Sequence, residues 1–356
     1  MAGLLSASLA AEDPPGRWIG IDPGGGGAFM AAGGGPTGLI VVCGDLSGGY
    51  LSEDRGKSWT VLGYYRGVDA THCSGMGFDP LDPDIFYLGS THGIYRTRDR
   101  GRSFERVLAD GYVTDIAFAP TQPSIGYAGR MSRWNAPDGQ VYKTTDRGLS
   151  WRQVSANLPP GVAVRRILPH PTDPNIVYMM SSERFKGAFG VFRSGDGGVR
   201  WTRLAPNLEQ ASDLAVDPFR PATLYLLAKE GVYKSTDNGQ TWTRVFDRQG
   251  NLFTHSKRRN LVRLINQSGV WESEDAGANW SRVATNTSWD PGFKPTFNYS
   301  WSITGRTIVN GDLSDPDRYY WITGQWVYGS FDGGRKFKPL YTYEDPPGSG
   351  RWRTTG

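Results

Sequence analysis

The fifteen residues Gly231-Val232-Tyr233-Lys234-Ser235-Thr236-Asp237-Asn238-Gly239-Gln240-Thr241-Trp242-Thr243-Arg244-Val245 read as a strand, a turn and a second strand. Within the turn, the Ser hydroxyl and Asp carboxylate can bond nearby main-chain groups, Gly supplies a positive φ, and the closing Trp packs between sheets. The pattern Ser/Thr-x-Asp-x-Gly-x-x-Trp/Phe occurs seven times, at 52–59, 97–104, 144–151, 194–201, 235–242, 273–280 and 330–337. Its aspartates are Asp54, Asp99, Asp146, Asp196, Asp237, Asp275 and Asp332, spaced on average about 46 residues apart, the length of a four-stranded propeller blade. The expectation is an all-β, seven-bladed β-propeller of four-stranded antiparallel blades. Seven equivalent aspartates around a ring read as turn fasteners, not metal ligands.

A second periodic signal, Pro-x-x-Pro followed four residues later by Tyr, precedes the boxes at Pro80/Pro83/Tyr87, Pro120/Pro123/Tyr127, Pro171/Pro174/Tyr178 and Pro218/Pro221/Tyr225, with Pro316 and Tyr320 keeping half of it. It marks the turn between the first and second of four strands, named A to D. From marker Tyr to box Asp the spacing is 12 in blades two, five and seven, but 19 in blade three and 18 in blade four. Blades three and four therefore carry long B-to-C loops, with Arg130, Arg133 and Trp134 in one and Glu183 and Arg184 in the other. A third insertion, 285–301, holds Trp289, Asp290, Tyr299 and Trp301. In a meandering blade the B-to-C and D-to-A connections emerge at one end of the ring, and insertions on repeats often form the binding surface. Trp326, in the short B-to-C loop of blade seven, joins the same rim. Flat aromatic rings among arginines and carboxylates suit a sugar polymer, although loop aromatics also close loops.

Composition narrows the classes. The chain has 356 residues, 38% of them hydrophobic and 13 of them Trp, enough for a core despite 48 Gly and 23 Pro. A net charge of +4 without basic runs implies no bulk attraction to nucleic acid or lipid, and apolar runs such as 38–42 are far too short to span a bilayer. Two cysteines, Cys43 and Cys73, make no zinc or iron–sulfur site and read as paired or buried structural residues. Four dispersed histidines give no metal spacing, and no cofactor is expected. The propeller is placed at 17–345, with 1–16 a signal remnant or disordered start and 346–356 a tail or the start of another repeat. An extracellular or periplasmic location is expected.

Trp18-Ile19-Gly20, Gly24-Gly25-Gly26-Gly27-Ala28-Phe29 and Asp45-Leu46-Ser47-Gly48-Gly49-Tyr50, together with the boxes, make the chain resemble Asp-box (BNR) propellers and, more closely, family 74 glycoside hydrolases, the xyloglucanases. It departs from that family's pattern at Cys43-Gly44 and Ser47. The resemblance implies a catalytic carboxylate at Asp45, a β-glycan substrate, and a second propeller bearing the partner carboxylate. Inverting hydrolysis needs two carboxyl groups about 6.5 to 9.5 Å apart. Candidate partners within this chain are Asp69, Glu183, Glu230 and Asp290. Two other readings stay open: a non-catalytic, sortilin-like binding propeller, and a polysaccharide lyase using His72 with Arg133, Arg184 and Tyr299. A sialidase-type triad of Arg130, Arg165 and Arg306 lacks the N-terminal Arg motif such enzymes carry. His92 and His170 read as turn residues.

Overall fold

The computed structural model describes residues 29–46, 48–131, 138–155, 158, 162–181, 190–289, 309–323 and 326–341. It contains seven four-stranded antiparallel sheets, each built in sequence order from one continuous stretch: 29–62, 73–108, 112–153, 164–204, 213–246, 251–285 and 309–341. The fold is the expected seven-bladed propeller. First strands such as Cys73–Phe78 are buried throughout and abut the first strand of the next blade; last strands such as Thr243–Phe246 are exposed or partly so.

The box turns have one geometry in all seven copies. The Ser/Thr hydroxyl donates to Asp Oδ1 at 2.6–2.9 Å and accepts the Gly N–H at 2.7–2.9 Å. Oδ1 also accepts the N–H four residues on, at 2.8–2.9 Å. These bonds hold two successive left-handed residues: Gly56, Gly101, Gly148, Gly198, Gly239, Gly277 and Gly334 at φ 72–91°, preceded by Arg55, Arg100, Arg147, Gly197, Asn238, Ala276 and Gly333 at φ 57–76°. Such hydrogen bonding favours the ionised carboxyl, and the Arg200 N–H leads in holding Asp196 down to about 2. The aspartates are consumed in fastening turns.

Blades are joined by polar groups reaching across each boundary. Three of the marker tyrosines span them, Tyr87 donating to Arg147 O at 2.6 Å, Tyr127 to Pro174 O at 2.6 Å and Tyr225 to Ala276 O at 2.9 Å. Between first strands, Ser74 donates to Val113 O, Thr114 to Val164 O, and Asp115 accepts from Ile167 N, each at 2.8 Å. In blade six the marker position is Arg263, fully buried. It binds Glu272 at 2.6 Å, Asp317 at 3.0 Å, Tyr319 Oη at 2.8 Å and Pro316 O at 2.6 Å. Among the described residues blades seven and one meet without exchanging strands: Gly34 bridges Asp312, Leu313 N donates to Gly34 O at 3.2 Å, and Tyr320 packs with Ala32, Ile40, Val42 and Tyr50.

In blades two, five and seven the A-to-B turn is closed by a carboxylate at the residue before the first proline position. Asp79 accepts from Leu81 N and Asp82 N, Asp217 from Phe219 N and Arg220 N, and Asp312 from Ser314 N and Asp315 N. Blade four uses His170, whose Nδ1 accepts from Thr172 N at 3.3 Å and Asp173 N at 3.1 Å. This placement agrees with its reading as a turn residue.

Arg263→Met leaves the buried Glu272 carboxylate with only the long Arg335 contact at 3.5 Å and should lower unfolding free energy by about 3–5 kcal/mol in urea titration, whereas Tyr225→Phe should cost about 1 kcal/mol. Adding Glu272→Leu to Arg263→Met should recover most of the loss. Burial holds the His170 imidazole below its ordinary value. A depressed imidazole stabilises the fold above the unfolded value of about 6.5, and that contribution is lost as pH falls through it. His170→Asp, restoring the acceptor used at Asp79 and Asp217, should flatten the fall in melting temperature between pH 7 and pH 5.

Candidate functional site

Asp45 follows the second strand of blade one, Ile40–Gly44, and is partly exposed in the B-to-C turn. Gly44 N donates to Gly48 O at 2.8 Å, and Gly48 N donates to Thr71 O at 2.7 Å, tying this turn to the connection between blades one and two. Asp45 lies within electrostatic reach of Tyr112, at the start of blade three's first strand; burial is the main reason that phenol is pushed up, with Asp45 adding. Two of the insertions, with ends at 131 and 138 and at 181 and 190, are B-to-C loops and open at this same end of the ring, whereas the third starts beyond Trp289, which is bonded to the box turn of blade seven at Gly334.

The connection 63–72 does not stay on that rim. Its one-turn helix, Tyr64–Arg66, is pinned against the box of blade two: Phe104 N donates to Arg66 O at 2.7 Å and Arg66 Nη1 donates to Gly101 O at 2.7 Å. Gly67, at φ 91°, lies so close to Phe104 O that a β-carbon there would sit 2.3 Å from it. The chain thus runs along the outer wall of blade two before returning at His72, whose carbonyl accepts from Thr91 N at 3.2 Å.

This excursion encloses an open hollow of about 600 Å³ lined by Tyr64, Tyr65, Gly67, Asp69, Tyr95 and Arg106. Tyr64 and Tyr65 are 78% and 101% exposed and meet edge to face at 6.1 Å. Asp69, half exposed, accepts from the Tyr95 hydroxyl, with Arg106 at 3.7 Å and His92 Nδ1 at 3.8 Å. Tyr95's bond is the largest cause holding the Asp69 carboxyl below its usual value, with Arg106 and His92 adding and burial opposing. An ionised, hydrogen-bonded carboxylate accepts hydroxyls; it is not a poised proton donor.

The remaining sequence candidates separate. His72 is partly exposed, its Nδ1 3.5 Å from Thr71 Oγ1. His92, read as a turn residue, is half exposed and faces Asp69. Arg130 is spoken for: it binds Asp110 at 2.7 Å, and Tyr142 donates to the same carboxylate. Glu230 accepts from Tyr233 Oη at 3.1 Å on the exposed surface. Trp289 is 5% exposed, donates Nε1–H to Gly334 O at 3.0 Å and packs against Trp321 and Phe337, so it closes its loop onto the core. Trp326 begins the third strand of blade seven, Trp326–Ser330; its side chain lies outside the described residues, as do Arg133, Trp134, Glu183, Arg184, Asp290, Tyr299, Trp301 and Arg306. Among the described residues no group of three His, Cys, Asp or Glu is placed to hold a metal ion. Sequence reading missed Tyr64, Tyr65, Tyr95 and Arg106. The available signal was length: this connection has ten residues, 63–72, against three, 109–111, at the next junction.

A family model for the BNR/Asp-box repeat matches residues 233–244. A xyloglucanase of Paenibacillus sp is 25% identical over 282 residues, covering 68% of this chain and 24% of that protein. The chain therefore spans about a quarter of that relative's length. Among solved structures, an ancestral GH74 enzyme matches with TM-score 0.66 and 18% identity over 89% of this chain and 46% of that one. YCF48 bound to D1 peptide matches with TM-score 0.54 and 15% identity over 84% of this chain and 91% of that one. The chain is an Asp-box repeat propeller similar to GH74 xyloglucanases.

Removing the Tyr95 hydroxyl tests the electrostatics of the hollow. In Tyr95→Phe, the Asp69 carboxyl should titrate closer to its ordinary value, followed by carboxyl-carbon NMR across the acid range; an unchanged titration would discount the hydroxyl as the main cause.

Proposed function

We propose that this propeller binds a β-glycan and that Asp45 supplies one carboxylate for its hydrolysis, as in an inverting glycosidase. The observation that carries the binding half is the hollow between the 63–72 connection and the outer strands of blade two: two outward phenol rings for pyranose C–H faces, beside an ionised Asp69 and the Arg106 guanidinium for hydroxyls. The likeness to a xyloglucanase supports a xyloglucan-type substrate. Asp45 suits the catalytic half because its partly exposed turn opens at the end of the ring where the B-to-C insertions of blades three and four emerge, and that turn is bonded through Gly48 into the neighbouring connection. The second carboxyl group would come from Glu183 or Asp290 on the insertions, or from a second propeller. The protein would act outside the cytoplasm, where such polymers occur.

A binding-only reading is favoured by the charge state of Asp69, which suits a hydroxyl acceptor and not an acid catalyst. The fold match to YCF48, bound there to a peptide, adds to it.

Calorimetric titration with xyloglucan oligosaccharides, paired with a reducing-end assay on the polymer, separates these readings. Tyr65→Ala should weaken binding about tenfold. Asp45→Asn should leave binding intact while cutting reducing-end release by at least about a hundredfold. Binding without release in the unaltered chain supports the binding-only reading. Release unaffected by Asp45→Asn removes Asp45 from the chemistry, and binding unaffected by Tyr65→Ala removes the hollow.

A further inference from the structure

Cys43 is the last residue but one of the second strand of blade one, and Cys73 opens the first strand of blade two, thirty residues on. Their Sγ atoms are 2.9 Å apart, approaching the bond length of about 2.05 Å. Both are buried, 0% and 1% exposed, in a cluster with Met30, Val41, Leu62, Val68 and Tyr112. Cys43 Sγ also makes a long contact with Gly75 O at 3.5 Å.

We propose that Cys43 and Cys73 are joined by a disulfide in the folded protein, a covalent staple between blades one and two. The oxidant is a small-molecule or protein disulfide. One cysteine thiolate attacks it, forming a mixed disulfide and releasing the first oxidant thiol. The second cysteine, losing its proton, then attacks the protein sulfur of that mixed disulfide and releases the second. Two protein thiols are thereby oxidised to one S–S bond, and the oxidant disulfide is reduced to two thiols.

Burial decides when this happens. Once blades one and two have closed, neither sulfur is open to an exchange partner, so the bond forms during folding and afterwards resists reduction. It is a fixed staple and not a reversible switch. Its position matters to the proposed chemistry: Asp45 lies two residues beyond Cys43, His72 directly precedes Cys73, and the Gly48 to Thr71 hydrogen bond spans the same junction. The inference stands whether or not the protein acts on a glycan.

The test uses the full chain, unfolded and refolded with oxidised and reduced glutathione or with dithiothreitol, and needs no glycan. After oxidative refolding, thiol titration in denaturant should find no free thiol, and the intact mass should be two hydrogens lighter than after reduction. The oxidised form should melt higher than the reduced form by about 5–10 °C. The disulfide of the natively folded oxidised form should resist reduction by dithiothreitol until denaturant is added. Two titratable thiols after oxidative refolding, disulfide-linked dimers, or equal melting of both forms would overturn the proposal. So would a redox-dependent shift that persists in the Cys43→Ala, Cys73→Ala double variant.

Discussion

Everything in this ring hangs on a carboxylate that makes an unfavourable turn favourable. Each box places two consecutive residues in the left-handed region, a conformation that costs a residue with a β-carbon about 1–2 kcal/mol. The Asp side chain collects a hydroxyl donor and a backbone N–H with one oxygen, and charge-assisted bonds of this kind are each worth about 1.5–3 kcal/mol. The balance lets Arg55, Arg100, Arg147, Asn238 and Ala276 stand where glycine would be easier. Because the turn is rigid, the aromatic that closes it arrives at a fixed place beside the sheet.

Those fixed places let one blade address the next. Tyr87 and Tyr225 bond to the carbonyl of a left-handed box residue in the following blade, so the fastener of one sheet becomes the receptor of its neighbour. Where blade six lacks the tyrosine, Arg263 reaches further and gathers Asp317, Tyr319 and a carbonyl of blade seven. The same logic builds the hollow. Arg66 docks on Gly101 of the second box and drags the connecting segment down the wall, which leaves Tyr64 and Tyr65 outward and brings Asp69 to Tyr95.

Blade number, strand order and the use of the aspartates were legible because they repeat, and local turn chemistry repeats with them. The site was legible only in part. Asp45 could be placed in a B-to-C turn from the strand order alone, but Asp69 could not be placed on the wall, since that depends on Gly67 fitting against Phe104 of another blade. Trp289 illustrates the opposite failure. An aromatic in an insertion carries the same letter whether it meets a ligand or, as here, donates its indole N–H to Gly334 and seals the loop. Burial and long-range partners separate such cases, and neither is periodic.

The junction between blades seven and one differs in kind from a ring locked by a shared sheet. At Gly34 and Asp312, among the described residues, two blades rest against one another through a single bridge, one further backbone bond and side-chain packing. Mechanically this is a clasp: tension across it is resisted by a few contacts loaded together, with no ladder to unzip. Such a ring parts first at that clasp, with every blade intact on either side, and can re-close without any strand having to find its register again.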